Sequence, residues 1–321
     1  MRRKLAHLWP LALVAVALTA SSALAVTPKP PTATTGGATK VTYDSATVLG
    51  SSNPEGVATE VYFEYGTSTK YGLNSAPIPL NGSTTQAVSA PLTGLAAFTT
   101  YDYRVAAVNS NGTTYGANGH FKTDKIPLSL QITATPNPIT YGGLLTVAGT
   151  LSGTGNANQA VALQQTPYPY TAPFAQVGNS ELTSSTGAYS FTVPAVVVST
   201  QFRVFNTKDP TIVSSTVLVT DSLLVTVHTR GIGTSAHPAT RFSGTVAPPS
   251  ETDAKFAIEQ LFGTTWKLVG GGITANNAQN GVVPFSKVVH FKHAGFFRIF
   301  VGTVQGANAE SFSPPVFVRG H

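Results

Sequence analysis

A stretch of small and apolar residues occurs twice in this chain of 321 residues, and the repeat constrains the fold more than any other feature. Gly149-Thr150 in the first copy returns as Gly244-Thr245 in the second, 95 residues later. The segment 202–205 (Phe-Arg-Val-Phe) returns at the same spacing as 297–300 (Phe-Arg-Ile-Phe), and both alternate as a strand does. A period of domain length predicts one β-domain copied in tandem.

Composition predicts an all-β chain. Val and Thr favour strands, and 30 Gly and 22 Pro residues interrupt them. The hydrophobic content of 42% argues against disorder. The net charge is +6, with no basic run beyond the first residues, so we predict no nucleic-acid partner. Cysteine is absent, and each core must therefore hold by burial alone.

The first 25 residues are predicted to be a secretory signal peptide. They combine the basic Arg2-Arg3-Lys4, the apolar run 11–18 and the small-x-small site Ala23-Leu24-Ala25. The apolar run is shorter than the roughly 20 residues that a membrane span needs. We therefore expect a secreted chain that begins at Val26, spans no membrane, and continues with a Pro/Gly/Thr-rich linker over 26–38.

Residues 39–124 are predicted to form the first domain, with Tyr101 and Tyr103 facing its core. Within 92–112, the order Leu-x-Gly-Leu, Thr-x-Tyr-x-Tyr-Arg-Val and Asn-x-x-Gly resembles a fibronectin type III domain of secreted bacterial proteins. The resemblance implies a spacer or adhesion module. It also implies that Tyr101 is a tyrosine corner, whose hydroxyl bonds to nearby backbone.

This domain departs from the family in two respects. Gly50 stands about where animal members place a core tryptophan, so the core is expected to be filled by Tyr62, Phe63 or Tyr65. The chain has no Arg-Gly-Asp tripeptide, so the cell-binding activity of some members does not carry over.

Residues 128–221 and 222–319 are predicted to be the two copies of the repeat. The pattern of Gly-Thr-Leu, Val-Ala-Leu-Gln and Gly-x-Tyr-x-Phe, which the first copy carries, resembles bacterial immunoglobulin-like and prealbumin-like surface repeats, a superfold that fixes no function. Phe202 and Phe297 are the predicted core markers. The copies meet at Asp221-Ser222 almost without a linker, so we predict a stiff joint and three tandem β-sandwiches in an elongated array.

Residue types that carry chemistry are sparse. His290 and His293 are the only close histidine pair, but positions three apart on a strand face opposite ways, and we predict one exposed and one half-buried histidine. Glu60 and Glu64 share a strand face, either as an acid–base pair or, as is more usual, as a solvated face. We therefore predict no enzyme activity, no cofactor and no metal.

Two aromatic features are candidates for binding. Phe174 and Trp266 occupy matching repeat positions, either as carbohydrate-stacking platforms or as repeated core or inter-sheet aromatics, and the repetition favours the second alternative. The loop Tyr168-Pro169-Tyr170 lies in a proline-rich insertion of the first copy and is predicted to present stiff tyrosines to a ligand or a neighbouring domain. Alternatively, its rings cap the end of their own sandwich.

The sequence therefore predicts a non-catalytic secreted or bacterial cell-envelope module with a structural, adhesion or protein-interaction role. The alternative is an accessory glycan-binding protein of the cell wall or an extracellular polysaccharide. A strip of exposed aromatic side chains beside carboxylates or amides would favour glycan. A flat surface of apolar and polar side chains would favour a protein partner.

Overall fold

The computed structural model describes residues 29–234, 237–291, 293–304 and 306–319. The predicted signal peptide lies outside the described residues. Over the described residues the chain has 26 strands and no helix, which confirms the all-β fold class. The described residues therefore include no helix that is long and apolar enough to cross a membrane. The chain divides into two compact units between Asp124 and Lys125.

The first unit is a β-sandwich. Its strands are β1 (Thr34–Thr39), β2 (Ser45–Ser52), β3 (Thr59–Gly66), β4 (Leu73–Asn74), β5 (Ile78–Leu80), β6 (Gln86–Thr93), β7 (Thr100–Asn109), β8 (Gly112–Tyr115) and β9 (Gly119–Lys122). One sheet has the order β1-β2-β6, and the other has the order β4-β3-β7-β8 with β5 on β3 and β9 on β7. Alternate residues of both sheets bury one hydrophobic cluster between them.

Strand β1 lies largely inside the segment predicted to be a linker, so the linker ends before Thr34 rather than at Ala38. The pairing of β1 with β2 shifts register between Thr35 and Ala38. Gly36-Gly37 therefore forms a bulge, where an extra residue and a missing side chain are tolerated. Threonines on both sides of the glycines favour the extended backbone that pairing needs.

The core space near Gly50 is filled by neighbouring side chains. A Cβ at Gly50 would lie within 3.0 Å of the Val105 side chain, so no larger residue fits. Of the three residues predicted to replace the tryptophan, Phe63 is fully buried and Tyr65 packs partly buried against the same cluster. Tyr62 lies on the opposite, outer face because it alternates with Phe63.

The second unit contains two sandwiches with separate hydrophobic clusters. The strands of the second sandwich are β10 (Ser129–Thr135), β11 (Ile139–Thr140), β12 (Gly143–Ser152), β13 (Ala160–Pro167), β14 (Ala175–Leu182), β15 (Ala188–Val196), β16 (Thr200–Asn206) and β17 (Val217–Val219). Its sheets have the orders β10-β12-β15 and β14-β13-β16-β17. The short strand β18 (Asp221–Ser222) follows.

The third sandwich repeats this arrangement. Its strands are β19 (Leu224–Gly231), β20 (Ala239–Ala247), β21 (Lys255–Phe262), β22 (Thr265–Ile273), β23 (Val283–His290), β24 (Gly295–Val301), β25 (Ser311–Phe312) and β26 (Val316–Val318). One sheet has the order β19-β20-β23, and the other has the order β22-β21-β24-β25 with β26 also on β24.

The second and third sandwiches are joined by a hydrogen-bonded seam. Strand β18 pairs in parallel with β11 on one side. On the other side, the Ala309 N–H donates to the Asp221 carbonyl at 2.6 Å, and the Leu223 N–H donates to the Ala309 carbonyl at 3.2 Å. Asn308 Nδ2 donates to Asp221 Oδ2 at 2.6 Å. The third sandwich is therefore bonded to the connecting strand by both backbone and side chain.

Asp221 is fully buried in this seam. Burial raises the pKa of its carboxyl to about 7, although the hydrogen bond from Asn308 acts in the opposite direction.

Candidate interaction surface

The side chains considered for catalysis are separated in the structure. His290 and His293 are both exposed, so the prediction of one half-buried histidine is wrong, since both lie at the solvent-facing end of the β23–β24 connection. Glu60 is exposed, whereas Glu64 Oε2 accepts a hydrogen bond from Arg104 Nε at 2.7 Å. Among the described residues there is no group of three metal-ligating side chains.

An arginine on the outer face recurs in all three sandwiches. Its Nε donates to Glu64 in the first, to Gln164 in the second and to Glu259 in the third, at 2.7, 2.8 and 2.7 Å. Aromatic rings lie against the guanidinium groups, with centroid distances of 4.8 Å (Arg104–Tyr71), 3.8 Å (Arg104–Tyr115), 4.1 Å (Arg203–Phe174), 4.4 Å (Arg298–Trp266) and 3.9 Å (Arg298–Phe312). Each arginine is thus held both by contact with at least one aromatic ring and by a hydrogen bond.

The prediction that Phe174 and Trp266 are core or inter-sheet aromatics is wrong. Both are half-buried, and each ring packs on the guanidinium of the repeated arginine rather than in a core. The two residues recur because the arginine contact recurs. Each ring thus has a guanidinium of its own chain against one face.

The outer side of the β22-β21-β24-β25/β26 sheet is mostly aromatic. Phe296, Arg298 and Phe300 alternate along β24 with buried residues and therefore share this side. Neighbouring strands add further side chains in the same rows. This surface, named the aromatic face, consists of Phe296, Phe300, Phe312, Phe317, Trp266, Leu268, Arg298 and Glu259.

Much of the aromatic face is accessible to solvent. Phe296 is 48% exposed, Phe317 is 55% exposed and Leu268 is 70% exposed. The Phe296 and Phe317 rings meet edge to face at 5.2 Å, and the Phe300 and Phe312 rings are tilted at 5.1 Å. The Arg298–Glu259 ion pair lies among these rings, and each of its side chains is about a quarter exposed, at 24% and 23%.

The second sandwich carries polar or smaller residues at four of the matching positions but keeps Phe205 at the position of Phe300. Gln201 stands 95 residues before Phe296 and pairs with Leu218, as Phe296 pairs with Phe317. In the same way, Gln176 lies opposite Gln164 where Leu268 lies opposite Glu259, and Val213 lies opposite Phe205 where Phe312 lies opposite Phe300. The same sheet therefore forms with glutamine in place of Phe296 and Leu268, with valine in place of Phe312 and with leucine in place of Phe317.

The matching face of the first sandwich is richer in tyrosine and polar groups. Tyr71 and Tyr115 lie against the Arg104 guanidinium. The Tyr71 hydroxyl donates to Asn118 Oδ1 at 2.9 Å, and Asn118 Nδ2 donates to Asp102 Oδ1 at 2.8 Å. This surface places tyrosines beside an amide and a carboxylate, but its polar groups are largely bonded to one another.

The loop Tyr168-Pro169-Tyr170 lies beside the seam between the second and third sandwiches. Tyr168 is 41% exposed, Tyr170 is half-buried, and their rings meet edge to face at 5.6 Å. The Tyr168 N–H donates to the Ser199 carbonyl at 2.9 Å, and the Ser199 N–H donates to the Ala307 carbonyl at 3.0 Å. A Cβ at Gly306 would lie 3.9 Å from the Tyr168 hydroxyl. The loop therefore reaches toward the third sandwich.

The four residues assigned structural roles from sequence lie in cores. Tyr101, Tyr103, Phe202 and Phe297 are 6%, 1%, 1% and 0% exposed. The Ala96 N–H donates to the Tyr101 hydroxyl at 2.9 Å, and the Tyr103 hydroxyl donates to the Gly36 carbonyl at 2.7 Å. Tyr101 thus bonds to backbone five residues upstream in the chain.

Comparison with protein families and with curated proteins finds no match to this chain. Among solved structures, the sensor domain of the anti-sigma factor RsgI4 in Pseudobacteroides cellulosolvens is 18% identical, covering 30% of this chain and 98% of that one, with a TM-score of 0.25. The FN1–FN3 domains of chicken CNTN1 are 15% identical, covering 91% of this chain and 100% of that one, with a TM-score of 0.29. Neither likeness bears on function, so the side chains of this protein must indicate what it binds.

Sequence reasoning missed the aromatic face. A signal for half of it was present, since Phe296 and Phe300 alternate with the core residues of β24 and so belong to the opposite side. Phe312 and Phe317 could not be assigned to the same surface, because their strand partners are set by tertiary pairing.

Proposed function

We propose that this chain is a non-catalytic, secreted or cell-envelope protein-interaction module, and that the aromatic face is its binding surface. The observation that supports this best is the comparison of the two repeat copies. The second sandwich forms the same sheet with Gln201 and Gln176 where the third has Phe296 and Leu268. Since the fold does not require these apolar side chains, their exposure points to binding.

The composition of the aromatic face also fits a protein partner. Phenylalanine, tryptophan and arginine are enriched at the buried centres of protein interfaces, whereas glutamate and lysine are depleted. Arg298 is already stacked between Trp266 and Phe312, so little side-chain entropy is lost when a partner covers it. Its ion pair with Glu259 leaves no unpaired charge at the centre.

Glycan binding is the second candidate, and the first sandwich supports it. Tyr71 and Tyr115 lie next to Asn118, Asp102 and Glu64, which is the combination of aromatic, amide and carboxylate groups that sugars need. We rank it lower because Arg104 occupies faces of both rings and the polar groups are bonded to one another.

We further infer that three separate domains follow a cleaved signal peptide. The first, predicted over 39–124 and extended by β1 to Thr34, is fibronectin type III-like, and the others, 128–221 and 222–319, are immunoglobulin-like. Separate hydrophobic clusters support the division. The Tyr101 hydrogen bond to Ala96 supports the first assignment. Intact-mass analysis of secreted protein is expected to find Val26 at the N-terminus, and a mass that includes Arg2-Arg3-Lys4 would contradict cleavage.

The binding surface is tested by giving the third sandwich the side chains of the second. The double variant Leu268→Gln, Phe296→Gln is expected to fold but to retain at least tenfold less partner in a pull-down from envelope extract of the source organism. The control Leu182→Gln removes a leucine of similar exposure, 66%, on β14 and is expected to bind as the wild type does. Equal capture by all three proteins would contradict the proposal, and binding of the wild type to a glycan array alone would favour the second candidate.

A further inference from the structure

The aromatic face is nearly neutral. Its central charges, Arg298 and Glu259, are paired at 2.7 Å, and Lys255 lies at one end of β21. A strongly charged partner would therefore gain little electrostatic attraction here. A second neutral surface could approach without repulsion.

The two halves of the aromatic face also differ in height. Across one row of the sheet, Phe312 pairs with Phe300, Phe300 pairs with Ala257, and Ala257 pairs with Gly271. Large rings thus occupy the half formed by β24 and β25. The half formed by β21 and β22 has a methyl group and no side chain in the same row, which leaves a depression.

In the remaining rows, too, the residues of the β24–β26 half differ from those of the β21–β22 half. Arg298 on β24 lies opposite Glu259 on β21. In the row at the end of the sheet, Phe317 pairs with Phe296 on one half, and Leu261 pairs with Trp266 on the other. A two-fold axis parallel to the strands, placed between β21 and β24, would exchange the halves.

We propose that the third sandwich binds a second copy of this chain, aromatic face to aromatic face, about this two-fold axis; the inference rests on the proposed function. Phe300 of each copy enters the depression over Ala257 of the other. Arg298 of each copy meets Glu259 of the other, and Phe317 meets Trp266. Such an interface is isologous and therefore closes at a dimer. Sheets packed face to face with nearly aligned strands are a common arrangement.

The size of the face predicts a weak dimer. Four strand positions at about 4.8 Å spacing and seven residues at about 3.3 Å give each copy roughly 400 Å² of projected area. Two copies would together cover roughly 800 Å² of projected area. The accessible surface that they bury exceeds this, because side chains protrude, and lies at about the low end of the range of about 1,200–2,000 Å² typical of stable complexes. The association should therefore be reversible and depend on protein concentration.

Other occupants fit this surface less well. A sugar chain needs coplanar rings with hydrogen-bonding groups beside them. Here the ring planes of Phe296 and Phe317 are inclined to each other by 66°, and those of Phe300 and Phe312 by 49°. Phenylalanine also offers a sugar no polar group.

Shape complementarity is tested by filling the depression. In sedimentation equilibrium of the mature full-length chain from about 1 µM to about 1 mM, the wild type is expected to show a monomer–dimer equilibrium. Ala257→Phe makes the face more apolar but is expected to weaken the dimer at least tenfold, because its ring occupies the place of Phe300. Leu218→Phe adds the same ring in the second sandwich and is expected to leave the dimer unchanged. Unchanged or stronger association of Ala257→Phe would overturn the proposed packing.

Charge exchange provides the second test. Glu259→Arg and Arg298→Glu would each place like charges together across the two-fold axis, so each variant alone is expected to be monomeric. An equimolar mixture is expected to form a heterodimer, which also shows that both variants fold. A mixture that stays monomeric while both variants keep the far-ultraviolet spectrum of the wild type would contradict the proposal.

The two proposals fail in distinguishable ways. If the wild type stays monomeric up to about 1 mM while the Leu268→Gln, Phe296→Gln variant still loses a captured protein, the second copy is the wrong occupant and the binding surface is right. Binding of a monomeric wild type to a glycan or to lipid vesicles would likewise overturn the second-copy assignment. If the dimer forms through another surface, with Ala257→Phe unaffected, the second-copy assignment is overturned, whereas the binding surface is overturned only by equal capture of the wild type and the Leu268→Gln, Phe296→Gln variant.

Discussion

At the scale of single residues, the repeated arginine explains most of what recurs on the surface. Arg203 and Arg298 stand 95 residues apart, and each is bonded through Nε to a residue of the neighbouring strand and covered by an aromatic ring. A stacked arginine at an exposed site contributes about 0.5–1 kcal/mol.

Adjacent residues of β24 have opposite roles, which yields a sharp prediction. Phe297 is fully buried and packs against Phe242 at 5.2 Å and Phe291 at 4.8 Å. Phe297→Ala is therefore expected to cost about 3–5 kcal/mol in free energy of unfolding. Phe296→Ala, one residue earlier and exposed, is expected to cost less than about 1 kcal/mol.

Urea denaturation of the mature chain checks both variants. The Phe297→Ala loss is expected in the third sandwich, with the first sandwich unaffected. Equal losses for the two variants would show that the register of β24 is wrong.

At the scale of elements, the repeated Gly-Thr pair marks a place where the backbone of one strand lies against an aromatic ring of the neighbouring strand. Gly149 on β12 and Gly244 on β20 lie in the central strands of equivalent sheets. A Cβ at either glycine would lie within 3.0 Å of a neighbouring-strand carbonyl and of an aromatic ring, Tyr189 or Phe285. Neither glycine has a positive φ, so close packing is the reason for glycine here.

Gly244→Ala is accordingly expected to destabilise the third sandwich by about 1–3 kcal/mol, because the methyl group overpacks the sheet against Phe285. The matched control is Gly302→Ala in the same sandwich, where the nearest atom to an added Cβ is the Lys255 carbonyl oxygen at 3.8 Å. Thermal melting of the two variants measures the difference. A Gly244→Ala melting temperature equal to that of the control would contradict the packing argument.

At the scale of the molecule, the seam makes the second and third sandwiches one compact unit. Backbone pairing of β18 with β11 and hydrogen bonds to the segment 307–309 hold the two sandwiches at the connecting strand. The buried carboxyl of Asp221 is the one titrating group of this seam whose pKa burial raises to about 7. The strength of the seam should therefore depend on pH.

The direction of this pH dependence follows from proton linkage. The Asp221 carboxyl has a pKa of about 7 in the folded chain and about 3.9 when unfolded. Between these values the folded state binds more protons, so stability is highest below about pH 4 with respect to this group, falls as pH rises toward 7 and levels off above it. Burial also raises the pKa of Glu251, which acts in the same direction.

Asp221→Asn is expected to reduce this pH dependence while keeping an acceptor for Asn308 Nδ2. Thermal melting of the mature chain between pH 5 and pH 8 checks this prediction. The second unit of the wild type should lose stability as the pH rises, and the second unit of the variant should lose less. Identical slopes would show that Asp221 does not titrate in this range.

Patterns along one strand were enough to predict the all-β class, because alternation and turn residues are local properties. They also indicate which side of a strand faces inward, since side chains alternate with a period of two. The offset of 95 residues revealed the tandem copies without any knowledge of pairing. The local patterns failed at β1, where a glycine pair indicated a linker although the flanking threonines pair with β2.

Only the tertiary structure decided which distant residues share a surface. Phe296 lies beside Phe317, and Arg298 lies between Trp266 and Phe312, because of strand register, which depends on the packing of whole sheets. The burial of Asp221 likewise depends on a segment that returns from the third sandwich nearly 90 residues later. The sequence by itself determined the class of fold and the repeat, whereas the binding surface and the seam exist only once strands far apart in the chain are paired.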